Sequence, residues 1–259
     1  MKKTIAARLL GRPLNIVFLI EYPKSGGTWL KSMVSHALEI PAWNRTRSPF
    51  QPCVMQAHWT NSFGLPLDKT IVLHRDGRDI MVSFYYHSFF YNDLLNRAHV
   101  DLMKKHLPFD DYDDIRNNLL PFMKFVFQTP ATPKFSWSEF VNAWHDKGEA
   151  INVTYENLRL DTGGELTRIL SLLRPEHQWT PEFTAEIAQE YSMSNMQQNQ
   201  SKLNKGIHGI QKAQKPFIRS GSIGGWSQHF TDEALEWFES NAGNELDLLG
   251  YKRGRPTDH

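Results

Sequence analysis

The stretch Glu21–Lys31, EYPKSGGTWLK, follows five apolar residues, Ile16–Ile20. A strand that breaks into Pro, Ser and two glycines and then enters a helix presents backbone N–H groups at a helix amino terminus, where partial positive charge suits a phosphate or sulfate. Ser25, Gly26, Gly27 and Thr28 would supply those donors, and Lys24 would lean over the same anion as a compact charge. An ATP-type loop carries its lysine after the glycines, as GxxxxGK[ST]. Here the lysine comes first. Taken alone, the stretch is equally a tight strand-to-helix turn with an exposed lysine.

A second stretch, TIVLHRDGRDIMVSFYYH at Thr70–His87, shifts that balance. In an ATP-hydrolysing protein an apolar strand at this stage ends in an acidic residue for magnesium. This one ends in His74-Arg75. Arg75 and Ser83, eight apart across a strand-to-helix turn, can both face a second phosphate, with Asp76, Arg78 and Asp79 as capping and turn residues. A protein kinase is set aside, because Met81 stands where its HRD motif needs an asparagine.

These residues need a scaffold, and the apolar pattern supplies one. Ile16–Ile20, Val54–Ala57, Thr70–His74 and Ile151–Thr154 read as short buried strands. Helical patterns cover Thr28–Leu38, Asp79–Phe90, Trp137–Lys147, Glu165–Leu173, Pro181–Tyr191 and Thr231–Leu249. Continuous apolar strands alternating with helices predict an α/β fold, a central parallel β-sheet flanked by helices. The 259 residues are read as one domain, 1–259. Two regions break the rhythm, Asn92–Pro133 with helix-like pieces full of Asp, Asn and Lys, and the polar Asn195–Ser222; connections of that length are usually functional covers or disordered. A helical acceptor lid is expected at about residues 88–135, and across Phe84–Phe135 the aromatics Phe84, Tyr85, Tyr86, Phe89, Phe90, Tyr91, Phe109, Phe122, Phe125 and Phe127 divide between helix core and pocket lining.

Bulk composition narrows the partners. Twenty-nine basic residues against 28 acidic give no field for a long nucleic acid, so any anion must be gripped locally. One cysteine, Cys53, excludes an internal disulfide and a cysteine-rich zinc site, and suits a reducing, cytoplasmic setting. The amino terminus begins like a signal peptide with Lys2 and Lys3, but Arg8, Arg12, Pro13 and Asn15 interrupt its apolar run. No segment has the ~20 apolar residues of a membrane span.

Four motifs then line up. YPKSGGTW (Tyr22–Trp29) resembles the 5′-phosphosulfate loop of sulfotransferases that use 3′-phosphoadenosine 5′-phosphosulfate (PAPS), and RDGRDIMVS (Arg75–Ser83) their 3′-phosphate strand and helix. YENL (Tyr155–Leu158) is similar to the family's adenine-contacting element, and RSGSIGGW with FT (Arg219–Trp226, Phe230-Thr231) to its carboxy-terminal RKGxxGDWxxxFT segment. They occur in family order across residues 22–231. The resemblance implies a P-loop, nucleotide-kinase-like fold and explains the leading lysine, which sits beside the oxygen bridging phosphate and sulfur and stabilises it as it leaves.

The same resemblance assigns roles. Among the eleven histidines, His58 ends the run Val54-Met-Gln-Ala, where the family carries its general base; His74 and His87 are read as structural. Arg75, Ser83, Arg219, Ser220 and Gly221 would hold the 3′-phosphate, while Trp29, Tyr155 and Met193 would contact the adenine. Ser83 would also hold Lys24 back until an acceptor binds. No metal is implied, because Lys24 supplies the counter-charge. The acceptor is a small molecule, glycan or lipid headgroup with a hydroxyl or amine, and the oligomeric state is left open.

The chain also departs from the pattern. Gly27 replaces a threonine, Gln56 a lysine two residues before the base, Ser220 a lysine and Gly225 an aspartate; the dimer signature KxxxTVxxxE keeps only Thr231 and Glu236. The rival enzyme is a P-loop nucleotide kinase, with Glu156 as its magnesium ligand. The non-enzyme rival is an inactive nucleotide-binding scaffold, which would have no use for both Lys24 and His58.

Overall fold

In the computed structural model, which describes residues 8–43, 51–90, 96–129, 133–198 and 221–256, Ile16–Glu21 forms strand β1 with every residue buried. A strand apolar on both faces has protein above and below it, which places it inside a parallel sheet. Cys53–Ala57 (β2) and Thr70–His74 (β3) pair with it on either side, and Ile151–Thr154 (β4) adds to β3. The order is β2-β1-β3-β4, and all pairings are parallel. The carboxyl ends of the strands therefore share one edge, where open α/β sheets carry their ligands. His58, Arg75 and Tyr155 each follow a strand end directly, and Lys24 follows Glu21 by three residues.

The helices run in chain order: Gly27–Ala37 (α1), Gly77–Phe89 (α2), Arg97–His106 (α3), Ile115–Gln128 (α4), Trp137–Trp144 (α5), Tyr155–Leu160 (α6), Thr162–Leu173 (α7), Pro181–Glu190 (α8) and Asp232–Leu248 (α9). Their contacts divide the described chain into two compact units. The first runs to Arg75 and resumes at Glu139–Ser192, and holds the whole sheet. Within it α7 and α8 pack on each other and on α1. Cys53, at the start of the edge strand β2, is buried, and burial pushes its thiol up to about 11.

The second unit comprises Asp76–Ser138 and the described residues from Met193 onward. Here α2 packs against α3 and α4, and α4 against α9. The helix-like pieces expected within Asn92–Pro133 are two helices. They are α3, burying Val100 and Met103, and α4, burying Ile115, Leu119, Phe122, Met123 and Val126. The apolar positions of α4 recur at helical spacing, and Pro121 inside it leaves that face intact. Phe84, Tyr85, Phe89, Phe90 and Phe122 are buried core, whereas Tyr86, Phe109, Phe125 and Phe127 are half-buried. Tyr91 and most of Asn195–Ser222 lie outside the described residues.

Candidate active site

Two left-handed residues turn the chain from β1 into α1. Gly26 has φ 106° and Lys24 φ 76°. A glycine is required at 26 twice over, since a Cβ there would also lie 2.7 Å from the Tyr155 ring. Lys24 has no such licence, and a non-glycine residue held at this φ stores strain of the kind that gathers at functional sites. Neighbours hold it: Arg75 donates to the Lys24 carbonyl at 3.1 Å, and the buried Ser25 hydroxyl donates to the Tyr22 carbonyl at 2.8 Å. Ser25 N–H is also bonded to Tyr22, while Gly26 N–H and Thr28 N–H make no hydrogen bond among the described residues.

The floor of the loop is aromatic and cationic. Trp29, buried, meets Tyr155 edge-on at 6.1 Å and donates its indole N–H to the Tyr191 carbonyl. Arg75 is 9 % exposed and lies 4.1 Å over the Tyr155 ring. That stacking fixes the plane of the guanidinium.

His58 stands exposed beyond β2 with Nδ1 2.9 Å from the Glu21 carbonyl oxygen. A carbonyl only accepts, so Nδ1 carries the hydrogen and the neutral ring leaves Nε2 unprotonated. His74 is the opposite case. It is 3 % exposed, and burial lowers its pKa to about 4 against the hydrogen bond from its ring to Asn152, so it stays neutral. His87 stacks with Phe84 and His99 as part of the packing.

Sequence reasoning missed Glu21. It is 2 % exposed, accepts from Gly27 N–H at 2.6 Å and from the Gln56 amide at 2.5 Å. Its position as the first residue after an apolar run was the available signal. Lys31 on α1 is half-buried; burial lowers its pKa, and the Glu21 charge works in the other direction.

In the second unit Ser83 sits half-buried on α2. Asp76 caps that helix as expected, accepting from Arg78 N–H. Arg78 and Asp79 do more than cap. The buried Arg78 guanidinium pairs with Asp76 and lies 4.1 Å over Trp226, and Asp79 accepts from the backbone N–H groups of Gly224 at 2.8 Å and Trp226 at 2.9 Å. The carboxy-terminal motif is thus tied to the helix that carries Ser83. Gly221 has φ 63°, and Met193 is half-buried in the helical stretch 193–198. Arg219 and Ser220 lie outside the described residues. No described helix is long and apolar enough to cross a membrane.

A family model described as a sulfotransferase domain matches residues 15–250. Sulfotransferase 2B1 of Mus musculus is 26 % identical over 255 residues, which cover 86 % of this chain and 69 % of the relative. Sulfotransferase 1E1 of Homo sapiens is 28 % identical over 275 residues, covering 91 % and 84 %. Among solved structures, mouse sulfotransferase SULT7A1 complexed with PAP has a similar fold, with a TM-score of 0.61 and 21 % identity over 96 % of both chains. Retinol dehydratase in complex with androsterone and PAP gives 0.56 at 16 % identity, covering 98 % of this chain and 88 % of that one.

Proposed function

Because the chain belongs to the sulfotransferase domain family and is a PAPS-dependent sulfotransferase, we propose that it moves a sulfuryl group from PAPS to a hydroxyl or amine of a small-molecule, glycan or lipid-headgroup acceptor. The observation that carries the catalytic part is the His58 ring, held through Nδ1 on the Glu21 carbonyl with Nε2 left to take a proton. As a hydroxyl attacks, its oxygen forms the new bond to sulfur, and the bond from sulfur to the bridging oxygen breaks with its electron pair leaving on that oxygen. The acceptor proton goes to His58 Nε2. Lys24 stabilises the charge that develops on the leaving oxygen.

The loop suits the donor substrate. Gly26 N–H and Thr28 N–H are unclaimed within the described chain, and the close approach of Tyr155 keeps position 26 bare. Ser25, Gly26, Gly27 and Thr28 hold the 5′-phosphate side, with Trp29, Tyr155 and Met193 at the adenine. Arg75, Ser83, Arg219, Ser220 and Gly221 hold the 3′-phosphate. We take residues 1–259 as one functional domain in which 88–135 covers the acceptor, acting without a metal in the cytoplasm.

The test separates chemistry from grip. His58→Ala lowers turnover by about 10²–10⁴, the usual worth of a positioned general base. The same variant keeps its calorimetric affinity for adenosine 3′,5′-bisphosphate. A variant that loses the bisphosphate but still turns over at saturating PAPS removes His58 as the base.

A further inference from the structure

Gly27 and Gln56, two positions at which this chain departs from the family pattern, both touch Glu21. The Glu21 carboxylate accepts Gly27 N–H on one oxygen and the Gln56 amide on the other. It also fills the space beside Gly27: a Cβ on that residue would lie 2.3 Å from the carboxylate. No side chain fits there while Glu21 keeps its place. Gly27 N–H is one of the loop donors proposed for the 5′-phosphate, and a buried carboxylate already has it. An incoming phosphate meets that negative charge and one donor fewer.

We propose that Glu21 is a specificity-determining residue of the phosphosulfate loop, an internal anion that competes with the 5′-phosphate for Gly27 N–H and obliges position 27 to be glycine. The proposal rests on the sulfotransferase reading of the loop. It makes Glu21 and Gly27 a matched pair whose exchange has to be concerted. It also makes the chain's discrimination for the 5′-phosphate weaker than it would be with Gly27 N–H free. The Gln56 amide holds the carboxylate in this position, in place of the cation that the family pattern puts there.

The experiment reads the ratio of dissociation constants for adenosine 3′-phosphate and adenosine 3′,5′-bisphosphate, which isolates the 5′-phosphate, together with the ligand-free melting temperature. Glu21→Gln keeps the shape and removes the charge. It raises the ratio by about tenfold, the size of one charge-assisted hydrogen bond returned to the ligand. Gly27→Ala lowers the melting temperature and the ratio in the native background, and much less in a Glu21→Ser background, because the methyl then has room. A merely structural Glu21 would shift the affinities for both nucleotides together. A ratio unchanged or lowered in Glu21→Gln overturns the competition, and an equal cost of Gly27→Ala in both backgrounds overturns the pairing. If the native protein binds neither nucleotide, the function proposed above fails, while the melting temperatures still decide the pairing of Glu21 with Gly27.

Discussion

With φ at 76°, Lys24 holds its charge on backbone that glycine would adopt more readily. Strain of this kind costs about 1–3 kcal/mol and persists only where the surroundings impose it; here Arg75 does so from the carbonyl side. Lys24→Gly is therefore expected to raise stability by up to about 1 kcal/mol while lowering turnover by about 10²–10³. Lys24→Met is expected to lose the same turnover without the gain. Urea unfolding beside PAPS turnover checks both, and a Lys24→Gly no more stable than Lys24→Met would remove strain from the account. Lys24, His58 and Arg75 were legible because each sits just past an apolar strand, and strand ends can be found from hydrophobicity alone. Glu21 was not, because an acidic residue there reads as the first residue of a loop. Only the fold shows it buried, with partners from β2 and α1.

At the level of elements, Asp79 supplies the hydrogen bonds from α2 to the backbone of the carboxy-terminal motif, beside the stacking of Arg78 on Trp226. Asp79 is 5 % exposed and takes both the Gly224 and Trp226 N–H groups. Asp79→Ala strands two buried donors and is expected to cost about 3 kcal/mol, with Asp79→Asn nearer half of that. Hydrogen exchange at the Gly224 and Trp226 amides should accelerate in both variants; unchanged protection would mean that other contacts hold the turn. The four strands, and the helices after β1 and β3, were read from pattern within a residue or two, whereas α6 after β4 was not read as a helix. The misread elements share a cause. The apolar pattern of α7 starts at Glu165, whereas Asp161 caps a helix that begins at Thr162, and across Gly163 and Gly164, by accepting from Gly164 N–H. In α3 only Val100 and Met103 are buried, so polar residues outnumber the apolar signal.

For the whole molecule, His74 sets an acid limit. Its folded pKa, lowered to about 4 by burial, lies below the ~6.5 of an exposed histidine. Between those values the unfolded chain binds the extra proton, so stability is fully present above about pH 6.5 and falls as pH drops toward 4, by a few kcal/mol. Urea unfolding at several pH values should show this slope, and His74→Leu should flatten it; an equally steep slope in the variant would assign the acid sensitivity elsewhere. The sheet that buries His74 also encloses the one cysteine in the sequence, at the start of the edge strand that leads to His58. A thiol held at about 11 and shut away from solvent is inert toward alkylating reagents until that strand detaches. The protein thus carries its own single-site clock. The rate at which Cys53 is alkylated, with and without nucleotide, times the opening of the edge that presents His58, with no engineered label and no second thiol.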